Sequence, residues 1–105
     1  MKMLITSEGN SLKSNFDIRF GRAAWFCFYN SETKEADFIE NENLNAKGGA
    51  GPKSAETVAE MGVTQVISGY FGPKAKSLLE QFKVQMITLD ESSKTIQEII
   101  DEIKD

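Results

Sequence analysis

The sequence predicts an α/β domain in which helices cover both faces of a five-stranded sheet. Two observations predict this class. In the second half of the chain, short apolar runs alternate with segments whose apolar side chains recur at helical spacing. In the first half, two β-prone runs flank a short polar turn, as in a hairpin. We expect one domain over residues 1–105, with the order β-loop-β-β-α-β-α-β-α.

The first three strands follow from local composition. Residues 3–6 form a nearly continuous apolar run, typical of a strand that is covered on both faces. Residues 23–29 are rich in aromatic side chains and therefore β-prone. Residues 30–34 are polar and predict a turn, and residues 35–40 alternate between polar and apolar side chains. Together these segments predict a strand followed by a hairpin.

The remaining elements are three helices and two strands. Each helix is predicted from four apolar or small residues at helical spacing. The three sets are Ala55, Val58, Ala59, Gly62; Ala75, Leu78, Leu79, Phe82; and Ile96, Ile99, Ile100, Ile103. Strands are predicted at 65–69 and 84–89, the second at an edge of the sheet. Acidic residues on the other positions of the last helix are typical of a solvated face.

The strand directions gather three loops at one edge of the sheet. If the second strand is antiparallel to the first, the loop of residues 7–22 lies at the carboxyl end of the first strand. Forward-running third and fourth strands bring residues 41–53 and 69–74 to the same edge. Open α/β sheets bind ligands outside the carboxyl ends of their strands. This edge is therefore the predicted binding rim.

Positive charge is concentrated in these same loops. Arg19 and Arg22, the only arginines, fall in the first loop. Lys47 and Lys53 flank a glycine turn, and Lys74 lies at the start of the second helix. Such a rim on an acidic protein predicts an anionic ligand. The alternative is that Arg19 or Arg22 pairs with Asp17 or Glu8 and holds the loop.

Two helix starts reinforce the prediction of an anion site. The sequence Gly-Gly-Ala-Gly-Pro-Lys at 48–53 predicts a glycine turn that leads into a helix beginning with proline. Gly-Pro-Lys recurs at 72–74. A helix start exposes unpaired N–H groups and the positive end of the helix dipole. The plainer interpretation is that each copy only starts a helix.

Composition excludes several kinds of chemistry. The chain has no histidine and one cysteine, which excludes Ser-His-Asp and Cys-His catalysis, histidine metal sites and four-cysteine sites within one chain. Cys27 is predicted to be a buried, inert thiol. The net charge of −4 argues against nucleic-acid binding. Apolar runs are too short for a membrane span, and nothing resembles a signal peptide, so we expect a cytoplasmic protein.

Three motifs resemble the dinitrogenase iron-molybdenum cofactor biosynthesis family. They are Asp-Ile-Arg-Phe-Gly-Arg-Ala-Ala-Trp-Phe at 17–26, Gly-Ala-Gly-Pro-Lys at 49–53 and Gly-Tyr-Phe-Gly-Pro-Lys-Ala at 69–75. The resemblance implies a ribonuclease-H-like, three-layer fold with a mixed sheet in the order 3-2-1-4-5 and an antiparallel second strand. It also implies a binding or carrier protein for molybdenum- or iron-containing sulfide clusters or their precursors, and a link to nitrogen fixation.

Two positions depart from that family. Arg19 stands where many members have histidine before Phe-Gly, and Lys47 or Gly48 stands where many have a second histidine. Arginine cannot ligate a metal, but it can hold an anion. We therefore expect no metal-ligating residues. The bound species would be a cluster, a precursor of one or an oxyanion, and it would be held as an anion. The predicted ligand-binding residues are Arg19, Phe20, Gly21, Arg22, Gly48, Gly49, Gly51, Lys53, Gly72 and Lys74.

The predicted function is therefore a non-enzymatic carrier. It would exist as a monomer or weak dimer, with cluster-assembly proteins as possible partners. The alternative is a protein–protein interaction or regulatory module without a ligand of its own. It would dock a partner through the edge strand at 84–89 or through an aromatic surface of Trp25, Tyr29 or Tyr70.

Overall fold

The computed structural model of the protein describes residues 1–42, 49–90 and 92–103. Its elements occur in the predicted order. The strands are β1 (Lys2–Ser7), β2 (Trp25–Asn30), β3 (Glu35–Glu40), β4 (Gln65–Ser68) and β5 (Gln85–Thr88), and the helices are α1 (Ala50–Glu60), α2 (Pro73–Gln81) and α3 (Ile96–Ile103).

The five strands form one mixed sheet in the order β3-β2-β1-β4-β5. β2 is antiparallel to both β1 and β3, whereas β4 runs parallel to β1 and β5 parallel to β4. This confirms the predicted strand order and the antiparallel second strand. β1 lies at the centre, which explains its continuous apolar sequence: its residues from Met3 to Ser7 are all buried.

Helices cover both faces of the sheet, and each face has its own core. On one side, Leu4, Phe26 and Val66 pack with side chains of α1 and α2. On the other side, Ile5, Cys27 and Ile67 pack with α3. Alternate residues of each strand therefore supply opposite cores, as the period of a β-strand requires. The predicted three-layer arrangement is confirmed.

The start of α1 differs from the prediction. The helix begins at Ala50 rather than at proline, so Gly51 and Pro52 lie in its first turn. Proline is tolerated there because the first N–H groups of a helix have no intrahelical acceptor. Gly49 precedes the helix with a φ of 72°, a left-handed conformation that glycine adopts without strain. At α2 the prediction holds, since Pro73 is the first helical residue.

Among the described residues, no helix is long and apolar enough to cross a membrane.

Candidate functional site

The loop after β1 is held against the sheet rather than projecting into solvent. Phe16 and Phe20 are fully buried, and Phe20 lies against the rings of Phe26 and Phe71. Backbone N–H groups of Phe20 and Gly69 donate to the carbonyls of Tyr70 and Ile18, each over 3.1 Å. The loop is thereby tied to the segment that follows β4, which fixes one wall of the rim.

Glycine permits two close approaches behind this wall. A Cβ atom on Gly21 would lie 2.7 Å from the backbone nitrogen of Gly51, so the loop touches the start of α1. A Cβ on Gly51 would lie 3.2 Å from Cβ of Ala75, so the starts of α1 and α2 also touch. Two glycines thus bring the loop and both helix starts together.

A cavity of about 600 Å³ lies where these three segments meet. We call it the rim cavity. It is lined by Arg19, Phe20, Gly21, Arg22, Gly49, Ala50, Gly51, Pro52, Tyr70, Gly72, Pro73, Lys74 and Ala75. Its volume falls within the range of small-molecule sites, about 300–1,000 Å³.

Eight of the ten predicted ligand-binding residues line this cavity, and of the two others only Lys53 is described by the structure. Gly48 lies outside the described residues, as does Lys47, the basic residue that was expected beside it. Lys53 is exposed in the first turn of α1, which begins earlier than predicted, and it does not line the cavity. Phe20 lines the cavity with its ring buried in the core, so it acts as a support.

Among the described residues, no side chain caps the first N–H groups of α1 or α2. Neither Gly49 nor Gly72, the residues that precede α1 and α2, offers a side-chain acceptor. Neither helix has an acidic residue in its first turn. The positive ends of two helix dipoles therefore meet at one cavity without a carboxylate of their own helix to offset them.

Arg19 is paired with Asp17. The guanidinium donates from Nε to Oδ1 over 3.1 Å and from Nη2 to Oδ2 over 3.0 Å, and the backbone N–H of Arg19 also donates to Oδ1. These hydrogen bonds and the charge of Asp17 raise the pKa of Arg19 above its usual value. The sequence offered the alternative that an arginine pairs with Asp17 and holds the loop, and Arg19 forms this pair.

The pairing orients Arg19 rather than hiding it. Asp17 is 3% exposed, whereas the side chain of Arg19 is 59% exposed. The hydrogen bonds to Asp17 occupy Nε and Nη2, and Nη1 has no partner among the described residues. Thr6 holds the backbone of Asp17 in place, since its hydroxyl donates to the carbonyl oxygen of Asp17. The result is a positioned guanidinium at the mouth of the cavity.

Two residues that shape the rim are absent from the predicted ligand-binding residues. Tyr70 is 63% exposed and lines the cavity beside Arg19. Asn41 is buried at the end of β3, and its Nδ2 donates to the carbonyls of Gly21 and Ala23 over 3.0 and 2.8 Å. One asparagine within an asparagine-rich stretch carries no local signal of such a role, because its partners lie about twenty residues earlier in the chain.

Two expectations for other residues are now settled. Tyr29 is buried, so the expected aromatic docking surface that included Tyr29 is wrong at that residue. The inward direction of its side chain follows from the register of β2 with β1. Cys27 is fully buried, as predicted, and burial together with the charge of Asp37 raises the pKa of its thiol to about 12. The thiol is therefore protonated and unreactive in the folded protein.

Comparisons with known proteins identify the family. The full chain, residues 1–105, matches the family described as dinitrogenase iron-molybdenum cofactor. The chain belongs to this family. An uncharacterized protein from Methanocaldococcus jannaschii is 33% identical over 106 residues, a match that covers 93% of this chain and 86% of that protein.

Two solved structures are similar over nearly the whole fold. The apo form of the orange protein from Desulfovibrio gigas superposes with a TM-score of 0.89 at 29% identity, covering 96% of this chain and 84% of that one. A NifB-like protein from Thermotoga gives a TM-score of 0.81 at 31% identity, covering 95% and 84%. The members of this group share the fold described above. The family to which the chain belongs is named for the iron-molybdenum cofactor of dinitrogenase.

Proposed function

We propose that this protein is a carrier that binds an anionic metal–sulfur cluster, a precursor of one, or a related oxyanion in the rim cavity. The observation that carries the proposal is the meeting of two helix starts, which no described side chain caps, with Arg19, Arg22 and Lys74 at one cavity. Backbone N–H groups at Gly51 and Ala75, which lack intrahelical acceptors, would donate to the ligand.

The chemistry of the lining favours an anion held as a whole over a metal ion coordinated directly. The chain has no histidine, and its one cysteine is buried in the opposite core. Among the described residues, no group of three or more Cys, Asp or Glu side chains could hold a metal ion. Positive charge and N–H donors remain as the means of binding, and both recognise an anion.

The shape and composition of the cavity favour a large, polarisable anion. Much of the lining is formed by alanine, proline and aromatic side chains, with cationic groups at the mouth. Such a surface desolvates an anion without replacing all of its hydrogen bonds, which costs more for a strongly hydrated oxyanion than for a sulfide. We therefore expect tetrathiomolybdate to bind more tightly than molybdate.

Family membership supports a carrier rather than an enzyme. The family is named for the iron-molybdenum cofactor of dinitrogenase, and the orange protein is a structural neighbour. The described lining of the rim cavity has cations and N–H donors, and it contains no pairing of a nucleophile with a base. A protonated, buried thiol also suits the reducing cytoplasm, where we propose that the protein acts.

A titration followed by amide NMR tests this function. Tetrathiomolybdate, and molybdate in a parallel series, would be added to the protein while the amide shifts are recorded. We expect the largest changes at Gly49, Gly51 and Lys74. Lys74→Gln should weaken binding several-fold, because it removes one cation from the mouth of the cavity.

Lys76→Gln provides the matched control. It removes the same charge from the same helix, two residues further on, at a position that does not line the cavity. Shifts elsewhere in the protein, or equal weakening by both substitutions, would contradict the proposed site. An absence of shifts with both anions would instead favour the alternative, an interaction module with no ligand of its own.

A further inference from the structure

A second concave surface lies between α1 and the β2–β3 hairpin. It consists of two adjoining cavities of about 230 and 180 Å³ that share Phe28, Ile39 and Met61 as lining residues. We call this surface the α1–β3 groove. Met61 directly follows the last residue of α1, the helix whose first turn lines the rim cavity. The groove and the rim cavity are therefore formed by the two ends of one helix.

The groove exposes apolar side chains that no part of the described structure covers. Ile39 is 41% exposed and Met61 is 38% exposed, although both are large and apolar. The alternation of β3 explains this exposure. Ala36 and Phe38 point towards α3 and pack in its core, whereas Asp37 and Ile39 point to the other face. Because β3 is an edge strand of the sheet, side chains on that face are covered less than those of the central strands.

Negative charge surrounds this apolar strip. The carboxylates that line the groove are those of Glu35, Asp37, Glu40 and Glu42, and the one basic lining residue is Lys2. None of the four carboxylates forms an ion pair within the described part of the chain. Exposed apolar side chains bordered by unpaired charge of one sign are typical of a surface that recognises a partner of the opposite sign.

The charge also argues against a second copy of this chain as the occupant. A two-fold contact places the same surface on both subunits. Antiparallel pairing of two β3 strands along their full length would set Glu35 of each strand opposite Glu40 of the other, and like charges directly opposite are destabilising. The chemistry that fits is an apolar strip bordered by lysine and arginine.

We propose that the α1–β3 groove docks a basic, amphipathic segment of a partner protein. The apolar side chains of the segment would pack on Phe28, Ile39 and Met61, and its basic side chains would face the four carboxylates. Docking there leaves the rim cavity open while contacting the far end of α1. The proposal does not depend on which ligand the rim cavity binds.

Site-specific cross-linking in the native host is the first step of the test. A photoreactive amino acid would replace Ile39 and, as a control, Phe82, which is also 41% exposed but lies at the end of α2. We expect a cross-link at position 39, but not at 82, to a segment in which lysine or arginine residues border apolar residues. A cross-link to a second copy, to this chain itself or to an acidic segment would overturn the proposal, as would none.

A binding measurement with the captured segment completes the test. A synthetic peptide of that segment should bind the purified protein, with affinity falling as salt rises. Reversing two groove charges, Glu35→Lys with Asp37→Lys, should weaken binding by about tenfold. Glu56→Lys with Glu80→Lys changes net charge equally at exposed positions outside the groove. Equal effects of the two pairs would contradict docking in the groove.

Discussion

Replacing Gly21 with alanine tests whether the loop and the start of α1 are held together as described. A Cβ at this position would lie 2.7 Å from the nitrogen and 2.8 Å from the Cα of Gly51. Ordinary contacts begin at 3.4 Å, so the two backbones must separate by about 0.7 Å. Both atoms belong to the backbone of α1, which cannot rotate aside as a side chain could.

The expected cost is that of overpacking, about 1–3 kcal/mol in the free energy of unfolding. For a domain of this length, that corresponds to a fall of roughly 5–15 °C in the unfolding temperature. Amide shifts should change in the loop and in the first turn of α1. Thermal unfolding followed by circular dichroism, with an amide NMR spectrum of each variant, measures both effects.

Gly72→Ala is the matched control. A Cβ on Gly72 meets nothing within 4 Å, and its φ of −63° suits alanine. Its unfolding temperature should therefore remain close to that of the unmodified protein. Equal unfolding temperatures for the Gly21 and Gly72 variants would refute the close contact between the loop and the helix.

Three further predictions concern the interior and the ion pair. Burial raises the pKa of Cys27 to about 12, so the folded protein keeps the thiol proton to a higher pH than the unfolded chain does. The free energy of unfolding should therefore be unaffected by this group below about pH 8.5. Between about pH 8.5 and pH 12 it should fall by at most about 1.4 kcal/mol per pH unit. Cys27→Ala should make the free energy of unfolding depend less on pH in this range. Parallel plots of unfolding free energy against pH for the variant and the unmodified protein would contradict this. Asp17→Ala should lower the free energy of unfolding by about 1–2 kcal/mol. The loss is limited because the exposed Arg19 side chain can form hydrogen bonds with water instead. A double-mutant cycle with Arg19→Ala should give a coupling near 1 kcal/mol, and additive effects would count against the pair. Ser54→Ala should raise stability by about 1 kcal/mol, since the buried Ser54 hydroxyl has no partner among the described residues; a lower denaturation midpoint would refute this.

The sequence contains most of the information that defines the fold. Apolar side chains at helical spacing located the three helices and alternation located β3, because burial of one face imposes a period of 3.6 residues in helices and about two in strands. Apolar or aromatic runs located the other strands. The edge of the sheet at which the rim cavity lies followed from strand direction. What periodicity could not locate was the first residue of α1. Helix starts depend on backbone conformation at residues such as Gly49, which leaves no apolar pattern.

The details of the site were less predictable than its position. The sequence indicated that Arg19 could pair with Asp17, but only the structure shows that two hydrogen bonds join their side chains. The role of Asn41 depends on contacts with Gly21 and Ala23, which the chain reaches only after it has formed the hairpin. Interactions of this kind are determined by tertiary packing, and local composition carries no trace of them.

The most direct test of the proposed carrier is analysis of metal and sulfide in protein purified without oxygen from its own host. The unmodified protein should retain molybdenum or iron together with sulfide. A variant carrying Arg22→Gln and Lys74→Gln should lose most of both, because two cations at the mouth of the rim cavity are removed. Equal contents in the two proteins, or neither metal nor sulfide in the unmodified one, would contradict binding of an anionic metal–sulfur species at the starts of α1 and α2.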